Sequence, residues 1–408
     1  MIETKPLSAL APAPAVEAHS TYNYAMGYLR GFIVLLVVAH HAALAYLPMA
    51  PPPPGSLITE PRWWQAFPVV DAQRGAWASL LVGFNDNFFM ALMFFLSGLF
   101  VWSGLKNKGG AGFLRGRVLR LGLPFVVAAA IVAPLAYYPT YLQIPGHGGF
   151  DGFVRQWFAL GAWPAGPAWF IWVLAAFDCI ATLLFALSRG WAATIGRFLA
   201  GPQGRPARFF ALLLMATAVV YIPLELTYSG LAWTAFGPFT FQSSRILLYL
   251  CYFLAGVGIG AWGLDRGPLT SQGKLARRWL LWVIASVVVF LTVSTVAIAF
   301  ITAHLQSRAW EVSTDVLFAA SCAASSFAFL ALFLRFARSR SSTFDSLARN
   351  SYGIYLVHYA FVSWLQLALI GTAMPSVLKF SIVTSGAVAA SWLTTVAIRR
   401  VPGVARVV

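Results

Sequence analysis

Residues 30–41 read Arg30-Gly-Phe-Ile-Val-Leu-Leu-Val-Val-Ala-His40-His41, an apolar run opened by a cation and closed by two histidines. With its neighbours it makes a hydrophobic segment over 26–47, long enough to cross a bilayer as a helix, which takes about 20 residues. Ionisable groups are costly inside such a segment, so those present are candidates for function. Eleven steps of about 100° bring His41 back to nearly the face of Arg30, about 16 Å along the axis and roughly half the hydrocarbon thickness. The reading therefore puts a cation near one membrane surface and an imidazole near the midplane on one face. His40 points about 100° away from that face.

The rest of the chain fits a membrane setting. Its 408 residues are 60% hydrophobic and 10% charged, with a mean hydropathy of +0.75, whereas soluble domains carry about 25% charged residues. An all-α integral membrane protein is expected, with about ten spans near 26–47, 84–104, 119–138, 168–187, 209–226, 243–263, 279–302, 314–334, 353–371 and 376–398. With the N-terminus in the cytoplasm, all but six of the 28 Lys and Arg fall on the inner side. The exceptions are Arg62, Arg74, Arg155, Arg245, Arg308 and Lys379. That asymmetry orients the bundle with both termini cytoplasmic. The net charge of +16 then serves topology and anionic headgroups rather than nucleic acid. Residues 1–25 read as a disordered tail without a cleavable signal, 26–400 as the membrane domain and 401–408 as a short cytoplasmic tail. Cys179, Cys251 and Cys322 have no metal or redox spacing, and no metal is expected. Two long outer loops, after Pro48 and over 139–167, carry Trp63, Trp64, Trp157 and Trp163. These suit stacking on sugars or an interfacial belt.

His41 can take a proton from a hydroxyl and return it to a leaving group; a packing histidine bonded to a backbone carbonyl is the plainer alternative. Arg30 can snorkel or hold a phosphate or carboxylate with its planar fork. Arg117 and Arg120, three apart at the mouth of the third span, fit either a topology anchor or a phosphate site. His358 is a second buried imidazole, at nearly the depth of His41. Asp178 is an intramembrane carboxylate that can orient a His or Arg or brace a kinked backbone. Asp86, Glu225 and Glu311 fall near outer ends with no mechanism attached.

Several segments together resemble the acyltransferase 3 family of membrane-bound acyltransferases. They are Leu29-Arg30-Gly31 with His41, Phe88-Phe89-Met90 through Phe94-Phe95-Leu96-Ser97-Gly98, Phe113 to Pro124, Trp169-Phe170-Ile171-Trp172, and Asn350 to His358. The order matches over nearly the whole membrane portion. The wording of the Phe113–Pro124 and Tyr355–Tyr359 stretches is most similar to the glucan-modifying branch, whose members transfer succinyl groups to periplasmic glucans. One departure is Gly27, where many members carry an acidic residue three before the Arg.

The resemblance implies an acyl-CoA-dependent O-acyltransferase in the inner (cytoplasmic) membrane. It moves a short acyl group, acetyl or succinyl, to a hydroxyl of a cell-envelope glycan arriving from outside. On that reading His41 and Arg30 are catalytic, with His41 as general base; Arg30, Arg117 and Arg120 hold the cosubstrate phosphates. His40, His358, Asp178 and Ser97 support the site or face the substrate. The competing expectation is a transporter in which His41, His358 and Asp178 form a proton path.

Overall fold

The computed structural model describes residues 24–407 except 202–203, 266 and 304–306. The expected tail therefore lies outside the described residues apart from Tyr24 and Ala25, which belong to the first helix; Lys5 and Arg266 of the basic set lie outside them too.

Among the described residues the chain is a helical bundle with nine helices long and apolar enough to span a membrane and a shorter apolar tenth. The spans are α1 (Tyr24–Leu44), α2 (Ala76–Gly98), α3 (Val101–Leu142), α5 (Trp169–Leu187), α7 (Pro206–Tyr228), α8 (Ile246–Trp262), α9 (Trp279–Thr302), α10 (Arg308–Phe336), α11 (Ser342–Leu369) and α12 (Ser376–Ile398). Between them lie the short helices α4 (Gly149–Ala159) and α6 (Trp191–Ala200) and a single turn at Lys274–Arg277. The fifth span forms although Pro223 sits inside it. An all-helical expectation missed a small hairpin, Trp233–Phe236 (β1) against Phe239–Gln242 (β2). Gly237, at φ 59°, supplies its two-residue turn.

The second span begins before its expected start and ends at Gly98, short of 104, whereas the third extends beyond 119–138 at both ends. The third is kinked at Gly109, whose φ of 66° and ψ of 170° interrupt the helix. Beyond it, α3 widens into π-type turns at Val118–Gly122 and Ala128–Val132, just before Pro124 and Pro134. A proline cannot donate to the carbonyl four residues back, and an orphaned carbonyl is expensive in hydrocarbon. Pro124 thus releases the Arg120 carbonyl, which accepts from the Tyr352 hydroxyl at 2.6 Å. Pro139 likewise releases the Leu135 carbonyl, which accepts from Trp364 Nε1 at 3.0 Å. Both donors lie on α11, so the prolines of α3 dock the two helices.

Elsewhere small residues set the spacing. A Cβ on Gly256 or Gly260 of α8 would fall 2.1 or 2.0 Å from the Phe95 or Leu99 carbonyl oxygen of the α2 segment, the close approach that small-xxx-small spacing permits. At Gly31 a Cβ would meet the Ala348 backbone nitrogen at 3.3 Å. This crossing brings α1 against α11, and with them the two motifs that carry Arg30 and His358.

Candidate active site

One end of the bundle is basic and holds a cavity of 510 Å³. Six cations line it: Arg30 from α1, Lys108, Arg117 and Arg120 from α3, Arg349 from α11, and Arg406 from the C-terminal segment. No carboxylate appears among the described lining residues. Arg30 donates from Nη2 to the Ala348 carbonyl at 3.3 Å. Arg117 sits over the Phe113 ring and pairs through Nε with the fully buried Asp178 at 2.9 Å. Deeper in, the lining becomes Val34, Met93, Leu96, Phe170, Ile171 and Leu174. Its polar atoms there are engaged: Ser97 Oγ donates to the Met93 carbonyl, and the Tyr355 hydroxyl donates to the Pro167 carbonyl.

His41 does not line this cavity. It sits in the last turn of α1, beside the middle of α11. Its Nδ1 lies 2.8 Å from the Val37 carbonyl and 3.2 Å from His358 Nε2. His358 is fully buried, with Nδ1 2.7 Å from the Tyr355 carbonyl. The Tyr359 ring stands edge-on to His41 at 4.9 Å between centroids. Tyr355 and Ile171 line both the basic cavity and a much smaller space of 10 Å³ that Tyr359 borders. Tyr355 thus walls the cavity three residues before His358, which its carbonyl faces, and both imidazoles lie outside the cavity lining in this structure.

A carbonyl only accepts, so Val37 and Tyr355 each require an Nδ1–H on the histidine they face. With His358 neutral, its Nε2 is then bare and accepts from His41 Nδ1–H. Both constraints leave the lone pair of His41 on Nε2. This arrangement can take a proton from a hydroxyl.

The profile of a family described as an acyltransferase domain, acyltransferase 3, matches residues 23–396. The chain belongs to the acyltransferase 3 family. It is an acyltransferase, and its apolar helices make it a multi-pass membrane protein. No curated protein and no solved structure matches it.

The acyltransferase brings Arg30, Arg117, Arg120 and Ser97 around one cavity and sets His41 against His358. His40 lies outside the cavity lining but beside the second group: its ring stands edge-on to His41 at 5.3 Å between centroids and packs on Phe89 at 5.0 Å. Asp178 reaches Arg117 rather than a histidine. Lys108, Arg349 and Arg406 were missed as individual residues, although their signal existed in the basic inner segments. Arg406 enters because Arg399 donates to the Arg349 carbonyl and the Asn350 side-chain oxygen, and Gly403, at φ 88°, turns the chain back.

The loop tryptophans are corrected. Trp64 and Trp157 are 2% and 5% exposed, and with Tyr137, Tyr141 and Phe153 they form the core of a cap at the end opposite the cations. Trp163 packs on that core and donates to the Ala129 carbonyl at 2.7 Å. Trp63 alone of the four is open, at 49%.

Proposed function

We propose that this acyltransferase uses an acyl-CoA from the cytoplasm to acylate a hydroxyl of a cell-envelope glycan presented from the outer side of the cytoplasmic membrane. The observation that carries the reading is the cavity in which six cations from four chain segments converge without a lining carboxylate. Such a set suits the phosphates of a coenzyme A ester. The positive-inside rule puts that end in the cytoplasm, and with it both termini. The apolar inner wall suits the pantetheine arm. Movement of Tyr355 away from Pro167 opens the way toward His41.

At the imidazole, the acceptor hydroxyl gives its proton to His41 Nε2 as its oxygen attacks the thioester carbonyl. The carbon–sulfur bond then breaks, and the departing thiolate takes that proton from Nε2, leaving an ester, a free thiol and neutral His41. The transferred group is a short acyl, acetyl or succinyl, and the wording around Phe113–Pro124 favours a glucan-like acceptor. No metal enters the scheme.

The test uses purified, lipid-reconstituted protein with acetyl-CoA or succinyl-CoA and an oligosaccharide acceptor. Thiol release coupled to a matching mass increment on the glycan is expected, with loss in His41→Ala and a raised KM for the donor in Arg120→Ala. Acceptor acylation that persists in a correctly inserted His41→Ala protein would overturn the assignment.

A further inference from the structure

A general base that becomes an imidazolium in the transition state is commonly steadied by a carboxylate on its other nitrogen. Here none of the described carboxylates bonds His41: Asp86 is paired with Arg245 at 2.8 Å and Asp178 with Arg117. The atom in the carboxylate's place is His358 Nε2, 3.2 Å from His41 Nδ1.

We infer that His358 is the positioning residue for His41, a neutral imidazole doing the work of a triad carboxylate. The inference rests on the reading of His41 as base. The geometry is over-determined. His358 has one tautomer that satisfies the Tyr355 carbonyl, and that tautomer aims its lone pair at His41. The Val37 carbonyl independently holds the same proton on His41 Nδ1. When Nε2 takes the acceptor's proton, the charged ring presents Nδ1–H to two acceptors at once, and a hydrogen bond from a charged donor is about twice as strong as a neutral one. The proton on Nδ1 never leaves. Only Nε2 gains and returns one, so His358 holds the ring and shares its charge without entering the proton balance. Its full burial keeps water from competing for that lone pair. Gln366 secures the same helix end by donating to the carbonyls of His41 and Ala42, at 3.0 and 3.1 Å. The ring is thereby held on a backbone tied to α11.

The experiment compares His358→Gln, whose amide oxygen can still accept from His41, with His358→Leu, which cannot. His358→Leu is expected to lose about 10- to 100-fold in kcat, and His358→Gln to stay within about tenfold of the parent. The KM for the acyl donor should move less than about twofold in both, because the cations that bind it lie elsewhere. Nitrogen-15 spectra of histidine-labelled protein should show His41 protonated on Nδ1 in the parent and in His358→Gln. A kcat for His358→Leu within about twofold of the parent overturns the inference. So does an equal fall in both variants, or a His41 signal with the proton on Nε2. If His358→Leu does not accumulate, His358→Asn replaces it, since its shorter side chain falls short of His41 and should behave like the leucine. Turnover that survives His41→Ala defeats the base assignment itself, whereas loss there with full activity in His358→Leu defeats only the role given to His358.

Discussion

The two ends of the bundle use cations in opposite ways. At the capped end every cation that reaches inward is consumed by a partner. Lys379 and Asp71 form a buried pair at 2.7 Å, Arg245 holds Asp86, Arg74 donates to the Pro48 and Ala50 carbonyls, and Arg62 donates to the Leu160 carbonyl beside Glu60. At the basic end, Lys108, Arg120, Arg349 and Arg406 line one cavity and have no ion-pair partner among the described residues. Charges spent on architecture are matched within the chain, while those gathered around the cavity are the ones the proposed function assigns to the donor's phosphates. Arg117 stands between the two uses, lining the cavity while paired with Asp178.

That contrast can be broken most sharply at the histidines, which lie between the two ends. Removing His41 should cut kcat by about 10²- to 10⁴-fold, the range a general base supplies, with the melting temperature unchanged. Lys379→Ala should do the reverse. It leaves Asp71 buried without its partner and should destabilise the fold by about 3–5 kcal/mol, seen as a fall in the melting temperature in detergent. Surviving protein should keep its KM for the donor. Arg349→Ala or Arg406→Ala should raise that KM about five- to tenfold, the loss of roughly one charge-assisted contact, with stability nearly unchanged. If Arg406→Ala costs stability and not KM, the cations of the basic end are architectural after all. The smallest effect belongs to Trp63→Ala, expected to shift stability by no more than about 0.5 kcal/mol. A matching Trp64→Ala change should cost about 3–5 kcal/mol, because that ring lies inside the cap.

Most spans could be read from hydrophobic runs because hydrocarbon thickness imposes one length on all of them. The family could be read because its motifs fall in order along the chain. The cap could not. Asp71 and Lys379 are 308 positions apart, and nothing local marks either as buried or as the other's partner. The loop tryptophans looked like surface residues for a similar reason: an aromatic in a loop reads alike whether it faces water or a neighbouring loop. At the site, helical periodicity put Arg30 and His41 on one face but was silent about Tyr355 and Ile171, which wall the cavity around Arg30 from other helices. The pairing of His41 with His358 needed the crossing at Gly31, and a crossing is a property of two helices rather than of either sequence.

The gripped carbonyls of α3 also carry a consequence in time. Arg120 and Leu135 belong to the third span, and the side chains that satisfy them, Tyr352 and Trp364, are made more than two hundred residues later. Until the ninth span leaves the ribosome, the third must wait in the bilayer with open backbone acceptors, held by lipid headgroups, water or an insertion partner. A ribosome that stops before Tyr352 therefore leaves behind an inserted chain whose substrate-side helix is still unsealed. The last helices to be synthesised are the ones that close the first part of the active site to form.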